Sequence, residues 1–132
     1  MTSGDMGGCN MDMEQTARVR YEEASKAAAV LDAEYYNLGA VDGFLFDTKE
    51  IRLKTISLMR KVRAGIVFTH LPFDYHSDHR TTANIVEAAA MIASLDPVPV
   101  DEEPLDVTPL LYHSSPLTLL SLIHISEPTR PY

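Results

Sequence analysis

Four side chains able to ligate a metal or move a proton, Asp74, His76, Asp78 and His79, fall within six consecutive residues of this chain. They follow the apolar run Ile66-Val-Phe-Thr69 and precede a stretch of helical periodicity that opens near Asp78. An uncharged imidazole is the form that binds zinc, and a neighbouring carboxylate commonly orients such a ring. Asp78 or Ser77 is placed to cap the helix by accepting from its exposed backbone amides. His79 then lies in the first turn. His76, still in the loop, is free to face a substrate carbonyl, as an acid or as the stabiliser of an oxyanion. A zinc site needs at least three protein ligands, and this segment offers at most two in reach. Two histidines three apart also occur as surface or capping features, so both readings stay open on spacing.

The elements that must position these groups are legible in outline. Helical spacing of Ala17, Tyr21, Ala24, Ala28 and Leu31 predicts an amphipathic helix over about Met13 to Leu31. A second helix is expected from Lys49 to Val62, with Ile51, Thr55, Leu58 and Val62 on its apolar stripe and Arg60, Lys61 and Arg63 complementing its dipole. A third is expected from Asp78 to Leu95, buried through Thr82, Ile85, Val86, Ala89, Ile92 and Ala93 and ended by Asp96-Pro97. Strand candidates lie at Glu34 to Leu38, Gly65 to Thr69 and Pro109 to His113. The middle one has the β-branched and aromatic run of a strand buried on both faces of a parallel sheet. Strands alternating with helices predict an α/β fold: a Rossmann-like, doubly wound, mostly parallel sheet with flanking helices. The histidine cluster then sits past the carboxyl end of a strand, where ligands bind in open α/β sheets.

Composition narrows the partners. A net charge of −8 argues against nucleic acid, whose phosphates need clustered Lys and Arg. No apolar run is long enough to span a membrane, and Met1 to Asn10 does not read as a signal peptide, so the expected location is cytoplasmic. The single cysteine, Cys9, excludes an internal disulfide and a four-cysteine zinc site, and reads as a third soft ligand or a free thiol. The run Thr2-Ser-Gly-Asp-Met-Gly-Gly8 could cradle a phosphate, but lacks G-x-G-x-x-G spacing and a Lys-Ser/Thr ending. His70, directly after the strand, either reaches the pocket or bonds a neighbouring loop. His113 is equally ambiguous.

The run Val67-Phe-Thr-His-Leu-Pro-Phe-Asp-Tyr-His-Ser-Asp-His-Arg-Thr-Thr-Ala83 resembles the His-x-Asp-His signature of the LmbE-like, or GlcNAc-phosphatidylinositol de-N-acetylase, family. Thr2 to Gly8 resembles the loop after that family's second strand, and Arg20-Tyr-Glu-Glu-Ala24 with Ala27-Ala-Ala-Val-Leu31 resembles its first long helix. The similarity spans about Thr2 to Leu117. It implies a single zinc ion and hydrolysis of an N-acetyl group from an amino sugar or sugar conjugate. By resemblance, His79 is the zinc ligand, and His76 stabilises the oxyanion and protonates the leaving amine. Asp78 orients His76, and Arg20 and Asp74 face the substrate. Asp74 is equally suited to structuring its loop, Arg20 to a helix surface, and Tyr75 is undecided.

The family's Ala-His-Pro-Asp-Asp-Glu motif, which carries two further zinc ligands and the general-base aspartate, does not occur in this chain. A complete structural zinc site is worth about 10 kcal/mol or more, and losing two ligands should forfeit most of that. The expectation is therefore a partial de-N-acetylase domain over residues 1–116, lacking its first strand and inactive as it stands. The alternative is a non-catalytic α/β module that binds a sugar or nucleotide at the same sheet edge. The stretch from Ser121 to Tyr132 resembles a translated sequencing adaptor, so 117–132, His124 included, is read as an artefactual tail. The identity of the N-acetylated substrate and any homo-oligomer lie beyond these residues.

Overall fold

A computed structural model describes residues 1–114; the tail assigned to 117–132 lies outside the described residues. The element order is α1 (Met13–Val30), α2 (Lys49–Lys61), β1 (Ile66–His70), α3 (Ser77–Ile92) and β2 (Leu110–Ser114). The chain divides into two compact units, Met1–Phe46 and the residues from Asp47 onward.

In the first unit, α1 starts where Asp12 accepts the Gln15 amide at 2.8 Å, the side-chain cap that an orphan first-turn donor needs. Thr16 is buried at the start of α1 with its hydroxyl bonded to the Asp12 carbonyl at 2.8 Å. Gly8 passes so close that a Cβ there would meet Thr16 Oγ1 at 2.2 Å, so only glycine fits. The apolar face expected for α1 is not a buried one. Tyr21 is 49% and Leu31 78% exposed. The strand expected at Glu34 to Leu38 is absent as well. Asn37 turns its side chain onto the Gly39 amide at 2.7 Å, a local bond that competes with ladder pairing, and the nearest bridge joins Thr2 to Ala40.

The second unit is a β-α-β arrangement with α2 packed on α3. β1 and β2 are parallel, with Ile66 opposite Leu110, Phe68 opposite Tyr112 and His70 opposite Ser114. α3 lies against β1, and its buried face of Ala83, Ile85, Val86, Ala89, Ala90 and Ala93 meets Ile51, Ile56 and Met59 of α2 and Leu105. Of the expected α2 stripe, Ile51 and Thr55 are buried and Val62 is exposed, while Ile56, Met59 and Arg60 join the buried face. Arg60 is the unexpected member. Its guanidinium donates to the carbonyls of Ala93 at 2.9 Å, Leu95 at 2.6 Å and Glu102 at 2.9 Å, closing the carboxyl end of α3 and the loop beyond it. β1 is not buried on both faces, since Ile66 and Phe68 remain 56% and 73% exposed. The reason is that, among the described residues, α3 covers only one side of the two-stranded sheet. No helix among the described residues is long and apolar enough to cross a membrane.

Candidate functional site

β1 delivers the chain to His70, a six-residue loop follows, and α3 begins at Ser77. The loop folds back through a turn in which the Asp74 amide bonds the Leu71 carbonyl at 3.2 Å. Arg80, from the first turn of α3, donates to the Asp74 and Tyr75 carbonyls at 2.7 and 2.9 Å and holds the loop down. This turn drives the Asp74 side chain inward. The residue is 2% exposed, its Oδ1 accepts the His76 amide at 3.0 Å, and the same oxygen lies 3.1 Å from His79 Nδ1.

The helix cap differs from both residues expected to form it. His76 is the N-cap, and its Nδ1 accepts the Asp78 amide at 3.2 Å. In a neutral ring that assigns the proton to Nε2, leaving an N–H directed away from the helix terminus. Asp78 touches His76 through this backbone amide; its carboxylate is buried, with the Ser77 hydroxyl at 3.4 Å.

Three imidazoles gather here. The rings of His70 and His79 stack with centroids 4.0 Å apart and planes 3° from parallel, and His76 sits 4.8 Å from His79. Tyr75 meets His79 edge-on at 5.9 Å. Donor atoms of His70, Asp74 and His79 all lie within 4.8 Å of one another. Burial, together with the neighbouring His79 ring, pushes His70 below the ordinary imidazole range, which favours the neutral form a metal takes. Burial alone would raise the Asp74 carboxyl, but the His76 amide and the His79 ring outweigh it and hold the group below the usual aspartate range. Asp74 Oδ2 is buried without a hydrogen-bond partner, and His79 Nδ1 faces Asp74 Oδ1 at 3.1 Å. Two imidazoles and a carboxylate are donors that zinc accepts, and a buried oxygen without a partner is what a cation would satisfy, so the residues fit the metal.

The loop and helix start thus bring together His76, Asp78, His79 and Asp74. Arg20 belongs to the other unit, on α1, where it pairs with Glu23 at 2.9 Å and reaches the Gly7 carbonyl at 3.5 Å. His70 is the member that sequence left ambiguous; its place at the end of β1 was the available signal. His113 bonds the His70 carbonyl at 2.7 Å and pairs with Glu87 at 3.3 Å. Cys9 is exposed in the first unit.

The fold is that of several solved structures. A conserved protein from Thermus thermophilus is 31% identical, with a TM-score of 0.72 over 87% of this chain and 50% of its own. An N,N'-diacetylchitobiose deacetylase from Pyrococcus horikoshii is 22% identical, with a TM-score of 0.75 over 95% of this chain and 53% of its own. GalB, a 4-carboxy-2-hydroxymuconate hydratase from Pseudomonas putida, is 22% identical, with a TM-score of 0.78 over 89% of this chain and 52% of its own. The chain therefore spans about half the length of the solved structures it matches. No curated protein matches it in sequence. The model of one family, PIG-L or GlcNAc-PI de-N-acetylase, matches residues 1–90, a run that takes in the whole histidine loop, and the chain belongs to that family.

Proposed function

We propose that this chain carries the histidine side of an active site that hydrolyses the N-acetyl group of an amino sugar or sugar conjugate, with zinc as its cofactor. The observation that supports the reading is the convergence of His76, His79 and buried Asp74 between the end of a parallel strand and the start of a helix, in a chain of the GlcNAc-PI de-N-acetylase family. A deacetylase of an N-acetylated disaccharide among its structural neighbours points to the same substrate class. His79 would hold the zinc, which supplies Lewis acidity toward the acetyl carbonyl and the attacking water.

The chain's own residues account for the rest of the machinery on this side. Capping of α3 by His76 Nδ1 fixes the ring and presents Nε2–H, a donor suited to an acetyl oxygen as it gains negative charge. Giving up that proton would leave an imidazolate while Nδ1 caps the helix, so Nε2–H serves the oxyanion; the amine takes its proton from the attacking water as the carbon–nitrogen bond breaks, and acetate is the other product. Asp74 holds the loop by accepting the His76 amide, so cap and donor share one support. Arg20 is assigned to the substrate side, and Asp78 keeps His76 in place through its amide. No residue here takes the role of the general-base aspartate, so the chain by itself should turn nothing over. We place the activity in the cytoplasm.

The test joins an upstream strand carrying His-Pro-Asp-Asp-Glu from a relative to this chain and measures acetate release from N-acetylated sugars with zinc. Release that disappears in His79→Ala supports the assignment. Release indifferent to His79→Ala removes His79 from the metal site. Sugar binding without release favours the non-catalytic module.

A further inference from the structure

A cleft of about 500 Å³ opens within the second unit, between α2, the carboxyl end of α3 and the segment that follows it. Its apolar lining includes Leu53 and Ile56 from α2, Ile92 from α3 and Val98 beyond it. None of its residues belongs to β1 or to the histidine loop. The 16-residue α3 is roughly 24 Å long at about 1.5 Å per residue, so the cleft and His76 stand at opposite ends of one rod.

The outer wall is set in advance. Pro97 and Pro99 fix their own φ angles, and the Val100 amide bonds the Val98 carbonyl at 2.9 Å. Buried Arg60 holds both ends of this segment, through the Leu95 carbonyl at 2.6 Å and the Glu102 carbonyl at 2.9 Å. Ser57 adds a bond to the Glu102 carboxylate at 2.8 Å. An apolar cleft of small-molecule size, already held open, costs its occupant little ordering entropy.

Charge selects the occupant. Asp47, Lys49 and Arg52 are the charged residues of the lining. Both Asp47 oxygens are taken by Nε and Nη2 of Arg52, which leaves that pair neutral. Lys49, in the first turn of α2, is exposed and has no ion pair among the described residues. The lining therefore carries one excess positive charge at the positive end of the α2 dipole, in a chain whose net charge is −8. We propose that this cleft binds a small amphipathic anion, a carboxylate on an aliphatic chain, with the chain along Leu53, Ile56 and Ile92 and the carboxylate at Lys49. Binding needs neither the metal nor the histidine loop, so it stands or falls apart from the proposed hydrolysis.

The experiment titrates decanoate into the purified 132-residue chain by calorimetry, with decanol and decyltrimethylammonium as probes of the same chain length. The expected result is one decanoate per chain, with decanol about fivefold weaker, the worth of one partly exposed ion pair, and the cation weaker still. Lys49→Glu should weaken decanoate and spare decanol. Leu53→Trp fills the cleft and should weaken both. Phe68→Thr combined with Tyr112→Thr removes apolar surface elsewhere and should leave uptake unchanged. Circular dichroism confirms the fold of each variant. Equal affinity for decanoate and decanol overturns the site, as does decanoate uptake indifferent to Lys49→Glu or to Leu53→Trp. Uptake lost with the threonine pair overturns it too, since the probe then coats the sheet. Uptake that falls as the protein concentration rises would make a second copy of the chain the occupant and equally removes the anion.

Discussion

At the scale of single residues, His76 has two duties that different substitutions separate. Its Nδ1 caps α3, and its Nε2 is left as the outward donor. Asparagine is among the best N-caps, so His76→Asn should keep stability within about 0.5 kcal/mol, whereas His76→Ala should cost about 1 kcal/mol. Both remove the Nε2 donor. In the completed protein, each should lower kcat by about 10²- to 10³-fold, the usual consequence of losing an oxyanion donor. Urea melts and acetate assays of the two variants check this; a fully active His76→Asn would show that the ring only caps. The pair His76 and His79 was legible in sequence because its spacing places them around a helix start. The inward turn of Asp74 and the approach of His70 were not, because both depend on how the Leu71–Asp74 turn and Arg80 fold the loop back.

At the scale of elements, the carboxyl end of α3 depends on a side chain from α2. Arg60 is 2% exposed and donates to three carbonyls, of which that of Ala93 also accepts the Leu105 amide. Arg60→Met should therefore destabilise the second unit by about 2 kcal/mol, the cost of leaving the Leu95 and Glu102 carbonyls without their donor, and chemical denaturation reads it directly. Near the start of α2, Asp47 pairs with Arg52, which holds the Asp47 carboxyl below the ordinary aspartate range. A depressed folded value means the pair stabilises fully above the unfolded value of about 3.9 and loses that contribution as pH falls through the lower folded one. Partial exposure limits the effect to about 1 kcal/mol or less, and Asp47→Asn should remove that share of the acid dependence. The helix spans were legible to within a few residues, since apolar period and caps are local signals. The face of α3 was legible through Ile85, Val86, Ala89 and Ala93, that of α2 only through Ile51 and Thr55: Arg60, counted as a dipole partner for α2, is buried and bonds the carbonyls beyond α3. The Glu34 to Leu38 run had the composition of a strand but pairs with none of the described residues, and composition alone does not supply a neighbour.

At the scale of the whole molecule, the sheet presents an apolar face that follows from strand alternation. Val67 and Thr69 are the better-covered residues of β1, while Ile66 and Phe68 point the other way with Leu110 and Tyr112 opposite them. Phe68 and Tyr112 stack with centroids 5.4 Å apart, and all four residues are more than half exposed. In a doubly wound sheet, helices cover both faces, which is why the continuous apolar run of β1 reads as a doubly buried strand. Contiguous exposed aromatic and aliphatic surface of this kind drives association. The purified chain should therefore run above its monomer mass in light scattering, increasingly so with concentration. Replacing Phe68 and Tyr112 together by threonine keeps β propensity while removing most of that surface, and should return the mass toward the monomer. The cost to folding is the stacked pair, about 1 kcal/mol, which thermal melts would register. A wild-type chain that stays monomeric at high concentration would show that this face is shielded in solution, and the threonine pair would then lower stability without changing the mass.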